Sequence, residues 1–152
     1  MRIQAYGMIA VALCLSACGG GGPPKPTPTK ASIVVAADVN PEPNGRASPI
    51  VVRLYQLKEE GAFNNASYFA LYDKEQETLG ASLISREEYE LKPGETRTLE
   101  MKVPPEAHFL GVMAGYRDIN NAKWRTLLPA GASLKKVTLS VGKSEVALVA
   151  NK

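Results

Sequence analysis

The sequence predicts an all-β protein: a β-sandwich of seven to eight short strands with one small helical insertion. Three observations lead there. Apolar, β-branched runs of five to nine residues recur from Ala31 to Val149. Clusters of Pro, Gly and Asn punctuate them, at Asn40 to Pro49, Lys92-Pro93-Gly94 and Pro104-Pro105. Only Phe63 to Tyr72 changes to a helical period. Many short strands with little helix bury their apolar faces most simply by stacking two sheets.

Taken in order, Ala31 to Val39 (ASIVVAADV) reads as a first strand, ended by Asn40-Pro41. Asn40 to Pro49 (NPEPNGRASP) has three prolines and an Asn-Gly, and is too long for a two-residue hairpin turn. Ile50 to Leu57 (IVVRLYQL) has strand composition, although Arg53 and Gln56 fall on opposite faces and admit a bulge or an uneven boundary. In Phe63 to Tyr72 either Asn64 or Asn65 can cap a helix, with Phe69, Ala70 and Leu71 lying against the sheet. Leu79-Gly80 suggests its stop.

From Ser82 onward the pattern is β throughout. Leu83 to Leu91 contains a strand, and Pro93 and Gly94 occupy the positions that a type II turn requires. Thr96 to Val103 alternates, with Leu99, Met101 and Val103 on one face and Thr98, Glu100 and Lys102 on the other. Phe109 to Tyr116 is the most apolar run and predicts a central strand. Trp124 to Leu128 is another, and Lys136 to Val141 and Glu145 to Val149 flank Gly142-Lys143 as a final hairpin.

The N-terminus has a different logic. Arg2 and the amino group precede a nearly unbroken apolar run, Tyr6 to Leu15. That run is shorter than the ~20 residues a membrane span needs, and it fits a secretory signal. Leu15-Ser16-Ala17-Cys18 resembles the lipobox of bacterial lipoproteins: Leu, two small residues, then the Cys that becomes the mature N-terminus. The resemblance implies removal of residues 1–17 and acylation of Cys18 on its thiol and amine, with palmitate-type chains. Two or more chains anchor a protein stably where one holds only marginally. Gly19 stands where enteric lipoproteins carry Asp for inner-membrane retention, which by analogy points to the outer membrane. Residues 18–30 then form a tether, GGGGPPKPTPT following the cysteine, leaving 31–152 as the folded domain.

Composition removes several functions. Of 18 basic and 15 acidic residues only Arg2 lies in the leader, so the mature side chains sum to +2, 17 against 15. No basic block or aromatic-interleaved basic stripe exists, and no nucleic-acid partner is expected. With Cys14 removed and Cys18 acylated, no thiol is left for a disulfide, so packing alone must hold the domain. His108 is the sole histidine, which argues against a His/Cys metal site and reads as a surface loop residue. No G-x-S-x-G elbow occurs, and Glu87, Glu88 and Glu90 read as a solvated strand face rather than a glycosidase pair. No catalysis, cofactor, metal or small-molecule substrate is expected. Trp124 reads as a packed aromatic, with Arg117, Asp118 and Arg125 ordering a hairpin.

The ordered set "ADVNPEPNGRASPIVVRLYQL", "FNNASYFALYDKEQETLG", "LKPGE" and "FLGVMAGYRDINNAKWRTLLP" resembles the outer-membrane lipoprotein of the type VI secretion system, the TssJ (SciN/VasD) family. The resemblance covers essentially the whole mature domain. It implies a transthyretin-like β-sandwich on the periplasmic face of the outer membrane, binding the periplasmic C-terminal region of the inner-membrane protein TssM. It also implies that the loop between the first two strands makes the contact, here Asn40, Pro41, Glu42, Pro43, Asn44, Gly45, Arg46, Ala47, Ser48 and Pro49. The prolines lower the entropy lost when such a loop docks. The alternative is a periplasmic ligand- or glycan-binding lipoprotein on the same sandwich, which would require a concave pocket with exposed aromatics.

Overall fold

In the computed structural model, which describes residues 22–131 and 133–151, two four-stranded sheets face one another. The strands are β1 (Thr27–Val35), β2 (Ile50–Leu57), β3 (Leu83–Leu91), β4 (Thr96–Val103), β5 (Phe109–Ala114), β6 (Arg125–Pro129), β7 (Lys136–Val141) and β8 (Val146–Asn151). The first sheet has the order β4-β1-β7-β8 and the second β3-β2-β5-β6. Between them lies the main core, where Ala31, Ile33 and Val35 of β1 meet Ile50, Val52 and Leu54 of β2. The alternation read in β4 holds: Met101 and Val103 are buried, Leu99 packs against the core, and Thr98, Glu100 and Lys102 are exposed. Each large apolar side chain removed from water contributes about 1.5–3 kcal/mol, and that is how the fold holds together without a disulfide.

The second sheet is covered on its outer face as well. Three short helices, α1 (Gly61–Asn65), α2 (Tyr68–Asp73) and α3 (Glu75–Leu79), lead into a 3-10 turn, Gly80–Ser82. They bury Phe63, Leu71 and Leu79 against Tyr55, Leu57 and Met113 of β2 and β5. This two-sided burial is why IVVRLYQL lacks clean alternation: both faces of its second half are buried. The bulge is real and lies across the ladder, since Gln56 pairs with Ser85 but Leu57 with Leu83, leaving Ile84 as the extra residue. Gly111 on β5 allows the Phe63 ring to lie on the sheet; a Cβ there would come within 3.1 Å of Phe63 Cζ.

Two expectations for the insertion are corrected. The cap is Ser67, whose side chain accepts from the Ala70 N–H at 3.2 Å, whereas Asn64 and Asn65 end α1. Phe69 does not face the sheet; it is 63% exposed while Leu71 is fully buried. Residues two apart on a helix point about 200° apart, so one must face out when the other faces in. Arginines hold the insertion down. Arg125 donates to the carbonyls of Phe63 (3.0 Å) and Ala66 (2.7 Å), and Arg53 donates to those of Leu71 (3.3 Å) and Tyr72 (3.1 Å). These satisfy carbonyls that such short helices leave without partners.

The first strand is also shifted from the expected Ala31–Val39. It begins at Thr27, inside the stretch 18–30 read as tether, and ends at Val35. Thr27 to Lys30 pair with Val103 to Glu100 of β4. Pro28 is tolerated because N–H groups two residues apart point to the same side of a strand. Lys30 sends its N–H to the Lys135 carbonyl at 2.8 Å, and the ladder with β7 begins only at Lys30. Thr29 is buried and donates its hydroxyl to the Leu134 carbonyl at 2.6 Å. The folded domain therefore starts four residues earlier than Ala31. Residues 1–21, with the leader and Cys18, lie outside the described residues.

Topology gives the sandwich two poles. The chain enters at Thr27 at one, and the β1–β2, β3–β4, β5–β6 and β7–β8 connections gather at the other. Nine strand residues at ~3.3 Å each place the poles roughly 30 Å apart.

Phe63→Ala should cost about 3–5 kcal/mol, measured by urea denaturation, because it empties the contact between insertion and sheet. Proteolytic nicking between residues 58 and 82 should rise before the two-sheet core is lost.

Candidate functional site

The candidate site is the pole opposite the chain entry, and the Asn40–Pro49 loop dominates it. The loop contains its own hairpin. Glu42 N–H donates to the Arg46 carbonyl and Gly45 N–H to the Glu42 carbonyl, both at 2.8 Å, with Pro43 and Asn44 at the corner and Gly45 at φ 84°. Pro presets the first corner residue, and glycine takes the left-handed position that closes a three-residue hairpin with a bulge. The side chains clamp the same turn. Arg46 donates to both Glu42 oxygens, at 3.2 and 2.8 Å, and Arg46 N–H donates to Asn44 Oδ1 at 3.0 Å.

The base of the loop is built from buried polar groups. Asn40, 4% exposed, adopts φ 47°, the left-handed region that Asn tolerates better than most residues. Its Nδ2 donates to the Pro49 carbonyl at 3.0 Å and its Oδ1 accepts from Arg117 N–H at 2.8 Å. Ser48, 3% exposed, donates its hydroxyl to the Asn40 carbonyl at 2.5 Å and accepts from Arg117 Nε at 3.0 Å. Ser48 N–H reaches the Val39 carbonyl at 3.1 Å, and Asn40 N–H the Lys143 carbonyl at 3.0 Å. Thus three separate chain segments share one network.

Neighbouring turns are fixed in the same way. The Tyr116 hydroxyl donates to the carbonyls of Gly142 (3.0 Å) and Glu145 (2.6 Å), and burial pushes its phenol far above the ordinary range, so it stays a donor at any physiological pH. Asp118 accepts from the Asn121 side chain and, through its backbone carbonyl, from the N–H groups of Asn121 and Ala122. Between the loop and these turns lies a notch of about 210 Å³, lined by Pro41, Tyr116, Asn121 and Lys143 among others.

The structure thus divides the ten predicted loop residues. Asn40 and Ser48 are buried and position the loop. Pro43, Asn44, Gly45, Arg46 and Pro49 are exposed, with the Arg46 side chain at 74%, while Pro41, Glu42 and Ala47 are half-buried. Sequence reasoning missed Arg117 as the brace of the loop, because its partners lie 77 and 69 residues away. Trp124 is indeed packed, edge-on to Tyr68 at 5.3 Å with Arg125 over its ring. His108 is exposed, its Nδ1 3.1 Å from the Lys58 carbonyl. Glu88 accepts from Arg53 and Arg86, and Glu87 accepts from the Tyr89 hydroxyl. Among the described residues no group of three or more His, Cys, Asp or Glu side chains is placed to hold a metal, and no helix is long and apolar enough to cross a membrane.

The class these features define is a small transthyretin-like β-sandwich with one pole fixed by hydrogen bonds around a loop. The comparisons place it. The family model described as type VI secretion lipoprotein, VasD, EvfM, TssJ matches residues 27–144, beginning at the first residue of β1. The chain belongs to this family, the TssJ lipoproteins of the type VI secretion membrane complex. Its fold is similar to the crystal structure of the T6SS lipoprotein TssJ1 from Pseudomonas aeruginosa, with 36% identity and a TM-score of 0.80 over 84% of this chain and 98% of that one. It is also similar to Serratia marcescens Lip, a membrane-bound component of the type VI secretion system, at 23% identity, TM-score 0.76, and 84% and 99% coverage. A chain from a structure described as the T6SS protein TssM C-terminal domain from EAEC matches at 24% identity, TM-score 0.69, and 82% and 98% coverage. No curated protein matched.

Asn40→Ala should lower stability by about 2–3 kcal/mol in denaturant titration, since it strands buried partners and puts alanine at a positive φ. Asn40→Gly should recover only the backbone part. The Arg46 guanidinium holds Glu42's carboxyl below its ordinary value of 4.5. A lowered pKa means that the clamp's contribution is complete above the ordinary value and is lost as pH falls through the lowered one. The Arg46 Nε–H NMR signal should therefore be constant at neutral pH and move only below pH 4.5.

Proposed function

We propose that this lipoprotein tethers the type VI membrane complex to the outer membrane, with Cys18 carrying the acyl chains and the Asn40–Pro49 loop binding the periplasmic C-terminal region of TssM. The single observation that carries the docking half is the preorganised loop. Its exposed tip, Pro43 to Arg46, stands on a base that is already hydrogen-bonded, so docking costs little ordering entropy. The membrane half rests on the lipobox, on the family's lipoprotein character and on the entry of the chain at the opposite pole. The role is mechanical and non-catalytic. The acyl chains supply anchorage, and the sandwich holds the loop toward the periplasm.

The depressions among the described residues do not favour the reading as a ligand-binding lipoprotein. A wide depression of about 630 Å³ lies between α3 and β3, but it is an open groove in which Arg53 and Arg86 both pair with Glu75.

Replacing Pro43 to Arg46 by Gly/Ser should weaken capture of the TssM periplasmic region by about tenfold or more in a pull-down or titration, without changing the fold. Undiminished binding would remove the loop from the interface, and no binding by the wild type would remove the partner. Separately, Cys18→Ala should shift the protein from the outer-membrane to the soluble periplasmic fraction. Persistence in the membrane fraction would contradict the anchor.

A further inference from the structure

The pole where the chain enters carries an unbalanced set of lysines that the docking reading does not use. On the outer face of the first sheet, Lys30 stands beside Lys136 in the β1–β7 register, and Lys102 stands beside Pro28 in the β1–β4 register. Lys135 lies next to Lys30 across a shallow groove, and Lys25 precedes the strand beside Val103 and Pro104. All five are exposed, and none is in an ion pair among the described residues, although other cations of the domain are. Among the described residues the side-chain carboxylates on this side are Glu100, the cross-strand neighbour of Lys30, and Glu106. On the helical side of the same pole Lys58 is offset by Glu59 and Glu60. The charge is therefore concentrated on the sheet side of one end. Neighbouring strands are about 4.8 Å apart, so like charges in adjacent positions repel and cost stability unless an external anion screens them.

We propose that this lysine-bearing pole is a contact surface for anionic phospholipid headgroups, which seats the domain on the bilayer that holds its tether. The choice of a lipid surface rests on the assignment of Cys18 as the anchor. From Cys18 to Thr27 are nine residues, a reach of at most about 30 Å, so the patch is never far from the headgroups. Lysines near an anionic surface each add about fivefold to partitioning, and the effect fades within a Debye length. Two such contacts would fix the domain's tilt and so aim the loop, about 30 Å away, into the periplasm.

The test uses the mature-length chain, residues 18–152, with Cys18→Ala, so that no acyl chain contributes. Both core clusters lie between Ala31 and Leu148, and the fold does not depend on the lipid. Sedimentation is measured with phosphatidylethanolamine vesicles containing about 25 mol% phosphatidylglycerol and with neutral phosphatidylcholine vesicles. The proposal expects binding to the anionic vesicles that weakens with salt. It also expects at least about a tenfold loss in the Lys30/Lys102/Lys135/Lys136→Gln variant and none in Lys92/Lys123→Gln, which changes the far pole. Equal binding to neutral vesicles, or an unaffected quadruple variant with a wild-type melting temperature, would overturn it. So would lysine-dependent sedimentation with purified peptidoglycan and none with the anionic vesicles, an outcome that would assign the patch to the cell wall. Because this chain is unacylated, none of these results depends on whether Cys18 is the natural anchor, which fractionation of the Cys18→Ala strain decides.

Discussion

Asn40 is the residue on which the loop-bearing pole depends. It is buried, it turns the chain through a left-handed conformation, and its amide joins Pro49 at the far side of the loop to Arg117 in the β5–β6 connection. A buried amide with both ends satisfied stabilises modestly, but losing either partner leaves a polar atom stranded at a cost of about 1–3 kcal/mol. The arrangement is therefore close to all-or-none. It converts ten residues rich in proline and glycine into a shaped projection, with Ser48 and the Arg117 guanidinium closing the base.

The projection has value because the body beneath it does not give. β5 and the second half of β2 are buried on both faces, by the facing sheet on one side and by the helical insertion on the other. Gln56 crosses between the sheets to the Lys102 carbonyl, and Thr29 ties the β6–β7 connection to β1. Interiors packed this densely transmit displacement rather than absorb it. The result is a stiff body with the chain entry at one pole and the hydrogen-bonded loop at the other.

Much of this was legible in the chain. The boundaries of β2, β3, β4 and β7 coincide with the apolar runs Ile50 to Leu57, Leu83 to Leu91, Thr96 to Val103 and Lys136 to Val141, because alternation and turn residues are local signals. The start of β1 was not, since Thr27 to Lys30 look like linker and become strand only by pairing with β4. Phe69 was misplaced for a related reason: a two-turn helix lets either neighbour face inward, and Arg53 and Arg125 decide which by fixing the helix ends. The loop was visible as a loop, yet the division into positioning and exposed residues was not, because it depends on Arg117.

The sequence by itself determined the strand inventory, the turn chemistry of Pro43-Asn44-Gly45 and the absence of any thiol for a disulfide in the domain, while the class of protein came from its resemblance to a family. The first three follow from properties a residue carries into any neighbourhood: its preferred φ, its branching, its reactivity. Tertiary structure decided which of the ten loop residues are buried, that Arg117 braces them, that lysines from β1, β4 and β7 gather at the entry pole, and that the turns gather at the other. Such facts arise from contacts between segments scores of residues apart, and no local preference specifies them.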